Sequence, residues 1–155
     1  MSTTYVFPQL AGLYHALEPW AEALLRVAVG VCLIPHGLRM AFGLFPNAGG
    51  PCNSIPSLAA ILDKGGWRPG TLWAPIIAAT ELIGGPLLAL GLFTRLAAIP
   101  IVILLVLSIV EHWRFGWFWN KQGIEYPVVW AAGAFYFLVH GGGVISLDQL
   151  IGWEF

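Results

Sequence analysis

Five ionisable side chains lie within or at the ends of long apolar stretches of this sequence: His36, Arg39, Glu81, Glu111 and His112. Moving a charged group into hydrocarbon costs at least about 2.5 kcal/mol, so such groups are rare in apolar segments unless the protein uses them. An imidazole titrates near neutral pH, and a carboxyl group in an apolar setting can keep its proton, so both can pass protons to a bound molecule. The sequence therefore predicts a polar pocket between helices in which protons are exchanged.

The composition indicates that the lipid bilayer surrounds most of the chain. Of its 155 residues, 58% are hydrophobic and 10% are charged, whereas about a quarter of the residues in soluble domains are charged. The formal net charge of −1 argues against a nucleic-acid partner, because phosphate binding needs clustered lysine and arginine. Cys32 and Cys52 form no CxxC motif, so neither a metal site nor a dithiol redox pair is expected. The first twenty residues lack the features of a removable signal peptide.

Four apolar segments predict an all-α fold, an integral membrane antiparallel four-helix bundle that forms one domain over residues 1–155. The predicted spans cover about residues 20–43, 71–93, 95–112 and 125–140. Both termini then lie on one side of the membrane, here called the terminal side, and the loops 44–70 and 113–124 lie on the other, the loop side. The expected location is the bacterial inner membrane, which the chain crosses several times.

The two loops on the loop side differ in character. Residues 44–70 are rich in proline, glycine and asparagine and predict a lid or docking surface, with a short amphipathic helix over residues 57–64. Loops of this length without regular structure are commonly functional. Residues 113–119 are rich in tryptophan and phenylalanine, which is typical of a segment at the membrane–water interface.

The second span carries one face of small residues with a single acid in it. The residues on this face recur at three- and four-residue intervals and are Ala74, Ala78, Glu81, Gly85 and Ala89. Because membrane helices pack closely along small residues, Glu81 is predicted to point at a neighbouring helix, near the middle of the bilayer.

A second group of charges is predicted on the terminal side. Glu22 and Arg26 are four residues apart in the order that favours an intrahelical ion pair. With Arg95 and Asp148 they are interpreted as a structural ion-pair cluster that ties the hairpin turn to the chain ends, rather than as a second functional site.

Several segments of the sequence, taken in their order, resemble the DoxX family of small four-helix membrane proteins over about residues 22–151. These segments are LLRVAVGVCLIPHGL, ATELIGGPLLALGLFTRLAA, the GIEYP that follows His112, and GVISLDQL. One branch of the family resembles the small subunit of thiosulfate:quinone oxidoreductases, and other members accompany redox enzymes. The resemblance therefore implies a quinone-linked or redox-accessory membrane subunit with further membrane or peripheral redox partners.

Under this interpretation, each ionisable group has a role at a quinone site. His36 and Glu81 are the candidate catalytic residues: His36 binds or protonates a quinone carbonyl, and Glu81 is the buried proton donor. Arg39 stabilises negative charge, while Glu111 and His112 lead protons to the surface. Tyr126, on one face of the fourth span, completes the set of predicted quinone-binding residues.

Other roles for the same residues, most of them structural, stay open. Arg39 can form a structural ion pair with Glu81 or Glu111, and the histidines can merely cross-link helices. His36 and His112 can in principle ligate haem from facing helices, but nothing beyond their presence supports it, so neither haem nor a metal is expected. Cys32 can be a thiol that acts on sulfur compounds, although a buried cysteine is more often inert.

Two classes of function follow from the sequence. The first is a subunit of a quinone-dependent oxidoreductase, one version of which acts on reduced sulfur compounds. The second is a structural or assembly subunit of a larger membrane complex, without catalysis of its own, in which the segments 44–70 and 113–119 are contact surfaces. A homo-oligomer is compatible with either class, and a transporter is a distant third because no inverted repeat is visible.

Overall fold

The computed structural model describes residues 6–48 and 52–153, which form helices, turns and loops without a strand. A single turn of 3₁₀-helix at Pro8–Leu10 leads into α1, which covers Ala11–Phe42 and is 32 residues long. The first span was predicted to begin near residue 20, whereas the helix itself begins at Ala11 and continues through Pro19. The preceding segment AGLYHALE is rich in alanine and leucine, which favour helix strongly enough to continue it back through the proline.

The predicted lid contains α2, which covers Ile55–Lys64. The Ser54 side chain accepts a hydrogen bond from the Ser57 backbone N–H, and the Ser57 hydroxyl contacts the Ser54 N–H in return, which is a capping box. Leu58 and Ala59 pack in one apolar cluster with Met40 of α1. We call residues 52–69 the cap, because α2 folds back over the loop-side end of the helices; residues 49–51 of the predicted lid lie outside the described ranges.

The second predicted span consists of three consecutive helical segments. These are α3 (Gly70–Ala79), a π-helical turn (Thr80–Gly84) and α4 (Gly85–Leu90). Gly91, with φ of +66°, turns the chain into α5, which covers Thr94–His112. The π-helical turn was not predicted, and it carries Glu81.

The chain returns to the terminal side along α6, which covers Glu125–His140. The loop before it contains two short 3₁₀ turns, Trp113–Phe115 and Trp119–Lys121. A last short helix, α7, covers Leu147–Ile151.

Within the described residues, three helical stretches are long and apolar enough to cross a membrane. They are Pro8–Phe42, Gly70–Leu90 and Thr94–Phe115, with mean hydropathies of 1.5, 1.5 and 2.2. Helix α6 is 16 residues long, about 24 Å, and is shorter than these three. The protein is therefore an all-helical integral membrane protein with three candidate spans.

Helix α1 is the central element, because it runs antiparallel to both the second helical stretch and α6. Against the former, a Cβ atom on Gly30 would come within 2.5 Å of the Gly85 carbonyl oxygen. Against α6, a Cβ atom on Gly133 would come within 2.7 Å of the Val29 side chain. Glycines thus let both neighbours approach α1 closely, and the main apolar core lies between these helices and α5.

Candidate functional site

Glu81 is a buried acid for which the described residues provide no counter-charge. Its side chain is on the π-helical turn, the residue is 7% exposed, and within the described residues its Oε2 atom has no hydrogen-bond partner. A Cβ atom on Gly37 of α1 would lie 3.0 Å from the Glu81 Cβ. Glu81 therefore faces a neighbouring helix, as the small-residue face predicted, and π-helical turns of this kind frequently occur at functional sites.

His36 precedes Gly37 on α1 but is directed towards another helix. Its ring meets the Trp130 ring of α6 edge-on, with centroids 5.8 Å apart, and its side chain is exposed on the surface of the helices. Consecutive residues of a helix project about 100° apart. His36 thus lies at the seam between α1 and α6, while Glu81 lies at the seam between α1 and the second helical stretch, and no hydrogen bond joins the two side chains.

A row of stacked aromatic rings extends from His36 towards the loop side. Tyr126 stacks on Trp130 with centroids 5.7 Å apart and planes 5° apart, and Trp119 stacks on the other side of Tyr126 at 5.8 Å. We call Trp119, Tyr126 and Trp130 the aromatic row. Tyr126 is thereby connected to His36 through a single ring, although the two residues are far apart in sequence. Trp119 and Trp130 were not among the predicted site residues. Trp130 could have been found from the sequence, because its four-residue spacing from Tyr126 places both side chains on one face of a helix.

Arg39 is directed at the loop that leads into the cap. Its Nε and Nη2 atoms donate to the Asn53 Oδ1 atom at 3.0 and 2.8 Å, and Nη1 donates to the Ala48 carbonyl oxygen. Among the described residues no ion pair joins Arg39 to Glu81 or to Glu111. In the part of the chain that the structure describes, Asn53 and the Ala48 carbonyl oxygen accept the hydrogen bonds of the guanidinium, in place of the two acids considered for it.

Glu111 and His112 also have local partners. The Trp67 indole N–H of the cap donates a 2.7 Å hydrogen bond to the Glu111 Oε1 atom. The His112 Nδ1 atom lies 2.9 Å from the Ser108 carbonyl oxygen, one turn earlier in α5. Glu111 thus holds the far end of the cap, and within the described residues no hydrogen bond joins Glu111 or His112 to Glu81.

Cys52 is the cysteine that shares the electrostatic environment of Glu81. It is half-buried at the start of the cap and packs against the second apolar cluster. Burial raises the pKa of the Cys52 thiol, the Arg39 guanidinium opposes this, and the Glu81 carboxylate adds to it. Cys32, which the sequence singled out, is exposed on the surface of α1.

Arg26 and Asp148 on the terminal side bind mainly backbone groups. Arg26, 3% exposed, donates to the carbonyl oxygens of Leu88, Ala89 and Ile145. The Asp148 carboxylate accepts from the backbone N–H groups of Phe93 and Thr94 and from the Thr94 hydroxyl. These bonds join the hairpin turn to the C-terminal segment.

Two further terminal-side residues, Glu22 and Arg95, contact the end of α6. The Glu22 Oε1 atom lies 2.9 Å from the His140 Nε2 atom and 3.3 Å from the Tyr136 hydroxyl, so the predicted intrahelical pair with Arg26 is not formed. The Arg95 Nη2 atom donates to the carbonyl oxygens of Val139 and His140 at 3.3 Å. His140 was not predicted, because it is far from Glu22 in sequence and meets it only when α6 packs on α1.

These features define a helical membrane protein with a buried acid beneath a folded cap. The DoxX family model matches residues 21–113, more than half of the chain, and the protein belongs to the DoxX family. The match includes His36, Glu81 and the cap, but it ends before the aromatic row.

A comparison with known proteins gives a relative that is also a membrane protein. An uncharacterized membrane protein of Mycobacterium tuberculosis is 29% identical over 103 residues, which are 66% of this chain and 57% of that protein. The chain thus spans little more than half the length of this relative. No solved structure matches the chain.

Proposed function

We propose that this DoxX-family protein is a quinone-linked subunit of a redox system in the bacterial inner membrane, in which Glu81 supplies a proton. The observation that carries the proposal is the Oε2 atom of Glu81, which is buried and without a hydrogen-bond partner in the described residues. An unsatisfied buried polar group costs about 1–3 kcal/mol. A purely structural acid would have a partner, as Asp148 does. The unpartnered state of Glu81 is therefore better explained by chemistry than by packing.

The other end of the proposed site is His36 with the aromatic row. A quinone has a flat ring with two carbonyl oxygens and an apolar tail, and its reduction takes up two electrons and two protons. The imidazole of His36 can donate to a carbonyl oxygen, and the parallel rings of Tyr126 and Trp130 offer a flat face beside it. Apolar side chains exposed along α6, such as Val129, suit an isoprenoid tail.

Gly37 is the point at which the two halves of the site come closest. Gly37 follows His36 in α1 and faces the Glu81 Cβ atom. Because glycine has no side chain, only the α1 backbone separates the Glu81 Cβ atom from the side of the helix that carries His36. In our proposal, protons pass between the two seams at this level. We also propose that α6 is a fourth span, slightly short for the bilayer, which would give an antiparallel four-helix membrane bundle.

Electrons must come from elsewhere, since the sequence contains no motif for flavin, nicotinamide or an iron–sulfur cluster. The proposal therefore includes a peripheral redox subunit, and reduced sulfur compounds are one class of electron donor for it.

The test is to purify the protein in nanodiscs made from its native membrane lipids and to measure bound quinone by extraction. We expect near-stoichiometric quinone in the wild type and at least a tenfold loss in His36→Ala. Glu81→Gln keeps the shape of the side chain, so it should retain quinone but slow its reduction. Glu22→Gln, which alters another shielded acid of the bundle, is the matched control and should behave like the wild type.

An assembly subunit without catalysis is the second candidate, and one observation favours it. The loop before α6 exposes large aromatic side chains, among them Trp113, Trp117 and Phe118, which are 52–69% exposed. Such a surface suits docking to another membrane subunit. If the parent complex keeps full activity with His36→Ala and Glu81→Gln together, and if no quinone is recovered, the assembly role stands and the quinone proposal is wrong.

A further inference from the structure

Helix α1 extends well past the helices that it packs against. Glu22 contacts His140, which is the last residue of α6, and Arg26 contacts carbonyl groups just before the hairpin turn. The helical turns before Glu22 therefore lie beyond the end of α6. At 1.5 Å per residue, the 32 residues of α1 measure about 48 Å, against a hydrocarbon core of about 30 Å.

The face of α1 that points away from the bundle carries a regular apolar stripe. Its members are separated alternately by four and three residues and are Leu13, Leu17, Trp20, Leu24, Val27 and Val31, all between 41% and 70% exposed. This 3.5-residue repeat is the pattern of the a and d positions of a coiled coil. We call these six residues the α1 stripe.

The stripe lies opposite the residues that α1 uses within its own chain. The buried residues of α1 include Arg26, Val29 and Leu33. At about 100° per residue, the mean direction of all the buried residues of α1 lies about 150° around the helix axis from the mean direction of the stripe. His15 and Glu18, which lie 3.9 Å apart on the N-terminal turns, are also on the bundle side. The stripe therefore contains no charge and makes no core contact in its own chain.

We propose that the α1 stripe is the interface between two copies of this chain, which associate through a parallel two-stranded coiled coil. Copies inserted in one membrane share their orientation, so their α1 helices run parallel and place the same residues at the same depth. An uncharged stripe brings no like charges together when it meets its own copy. Lipid can cover Leu24, Val27 and Val31, but the same repeat continues through Leu13 and Leu17, beyond the end of α6.

The area is sufficient for a specific contact. Full burial of the six side chains in both copies removes roughly 1,200 Å² from solvent and lipid, above the roughly 1,000 Å² that a specific interface needs. Alanines flank the stripe at positions 16, 21, 23 and 28, and small flanking residues let two helices approach closely.

Disulfide cross-linking in lipid vesicles tests the register of this interface. In a Cys32→Ser, Cys52→Ala background, Leu17→Cys places a thiol in the stripe, and His15→Cys places one on the bundle side of the same turn. With mild oxidant and a large excess of lipid, we expect at least tenfold more cross-linked dimer from Leu17→Cys than from His15→Cys. Equal cross-linking of the two variants, or none from either, would overturn the proposal.

Subunit counting by single-molecule photobleaching gives an independent measure. We expect two copies per particle for the wild type and one for the double variant Leu13→Glu, Leu17→Glu, with unchanged helix content. The variant Glu18→Gln is the control and should stay at two. Single copies for the wild type would show that the stripe lies in the headgroup region or binds a different protein, and would overturn the proposal without affecting the quinone site.

Discussion

The Trp67 indole N–H donates a 2.7 Å hydrogen bond to the Glu111 carboxylate, and this bond ties the end of the cap to the end of α5. At the other end of the cap, the Arg39 guanidinium holds the Asn53 side-chain oxygen. The cap is thus anchored at both ends to different long helices, with α2 packed on apolar residues between them.

Removing the Trp67 donor should loosen the cap. In Trp67→Phe the ring is largely kept, but the Glu111 carboxylate loses its hydrogen bond, which costs about 1–3 kcal/mol for a partly buried charged acceptor. We expect faster hydrogen–deuterium exchange in α2 than in the wild type, with little change in α6. The control is Trp73→Phe, since that tryptophan is exposed on α3; equal exchange in both variants would contradict the anchoring role.

Replacing Glu81 by an apolar residue should stabilise the protein. The acid is buried, and within the described residues its Oε2 atom has no partner, so Glu81→Met removes a desolvation penalty and should raise the free energy of unfolding by about 1 kcal/mol. Asp148→Asn should have the opposite sign, because it weakens a carboxylate that accepts three hydrogen bonds. Denaturation in mild detergent measures both changes, and a destabilised Glu81→Met would show that the carboxylate has a structural partner.

Adding a methyl group at Gly30 should disrupt the packing of α1. A Cβ atom there would come 2.5 Å from the Gly85 carbonyl oxygen and 2.6 Å from the Ala89 backbone nitrogen, and backbone atoms cannot move aside as a side chain can. We expect Gly30→Ala to lower stability by about 2–4 kcal/mol. Gly12→Ala is the control, because no atom lies within 4 Å of the added methyl group, and it should be neutral or slightly stabilising.

The Cys52 thiol should react slowly with alkylating reagents at neutral pH. Burial raises its pKa, so the reactive thiolate forms only at higher pH than it does for a free cysteine. In a Cys32→Ser background, the rate of N-ethylmaleimide labelling should rise with pH along a curve displaced to higher pH than that of the unfolded protein. Coincident curves for the folded and unfolded protein would show that the thiol is exposed to water.

Several site features could be predicted from the sequence because they depend on local spacing. The small-residue face of the second span follows from intervals of three and four residues, and Glu81 does point at α1. The amphipathic helix of the cap was predicted over residues 57–64, close to its actual range of Ile55–Lys64. The family was recognised from short segments in order, and the family model confirms it.

The partners of the long polar side chains could not be predicted in this way. Arg39 reaches the side chain of Asn53 in the loop, and Glu22 meets His140 of α6. A flexible arginine or glutamate can reach several partners at similar cost, and the register between helices decides which of them is near. His36 and Glu81 lie at different seams of α1. The structure does not join them in one pocket, and their assignment to a shared pocket stays a prediction.

The sequence by itself therefore determined that lipid surrounds most of the chain, where the long helices lie and that Glu81 points at a neighbouring helix. These features follow from composition and from periodicity along one segment. Only the tertiary structure decided that the aromatic row ends on His36, that the cap is anchored through Trp67 and Asn53, and that the Glu81 Oε2 atom has no hydrogen-bond partner in the part of the chain that the structure describes. Those relationships join residues far apart in the chain, and they depend on how deeply each helix slides along its neighbour, which the close glycine contacts of α1 set.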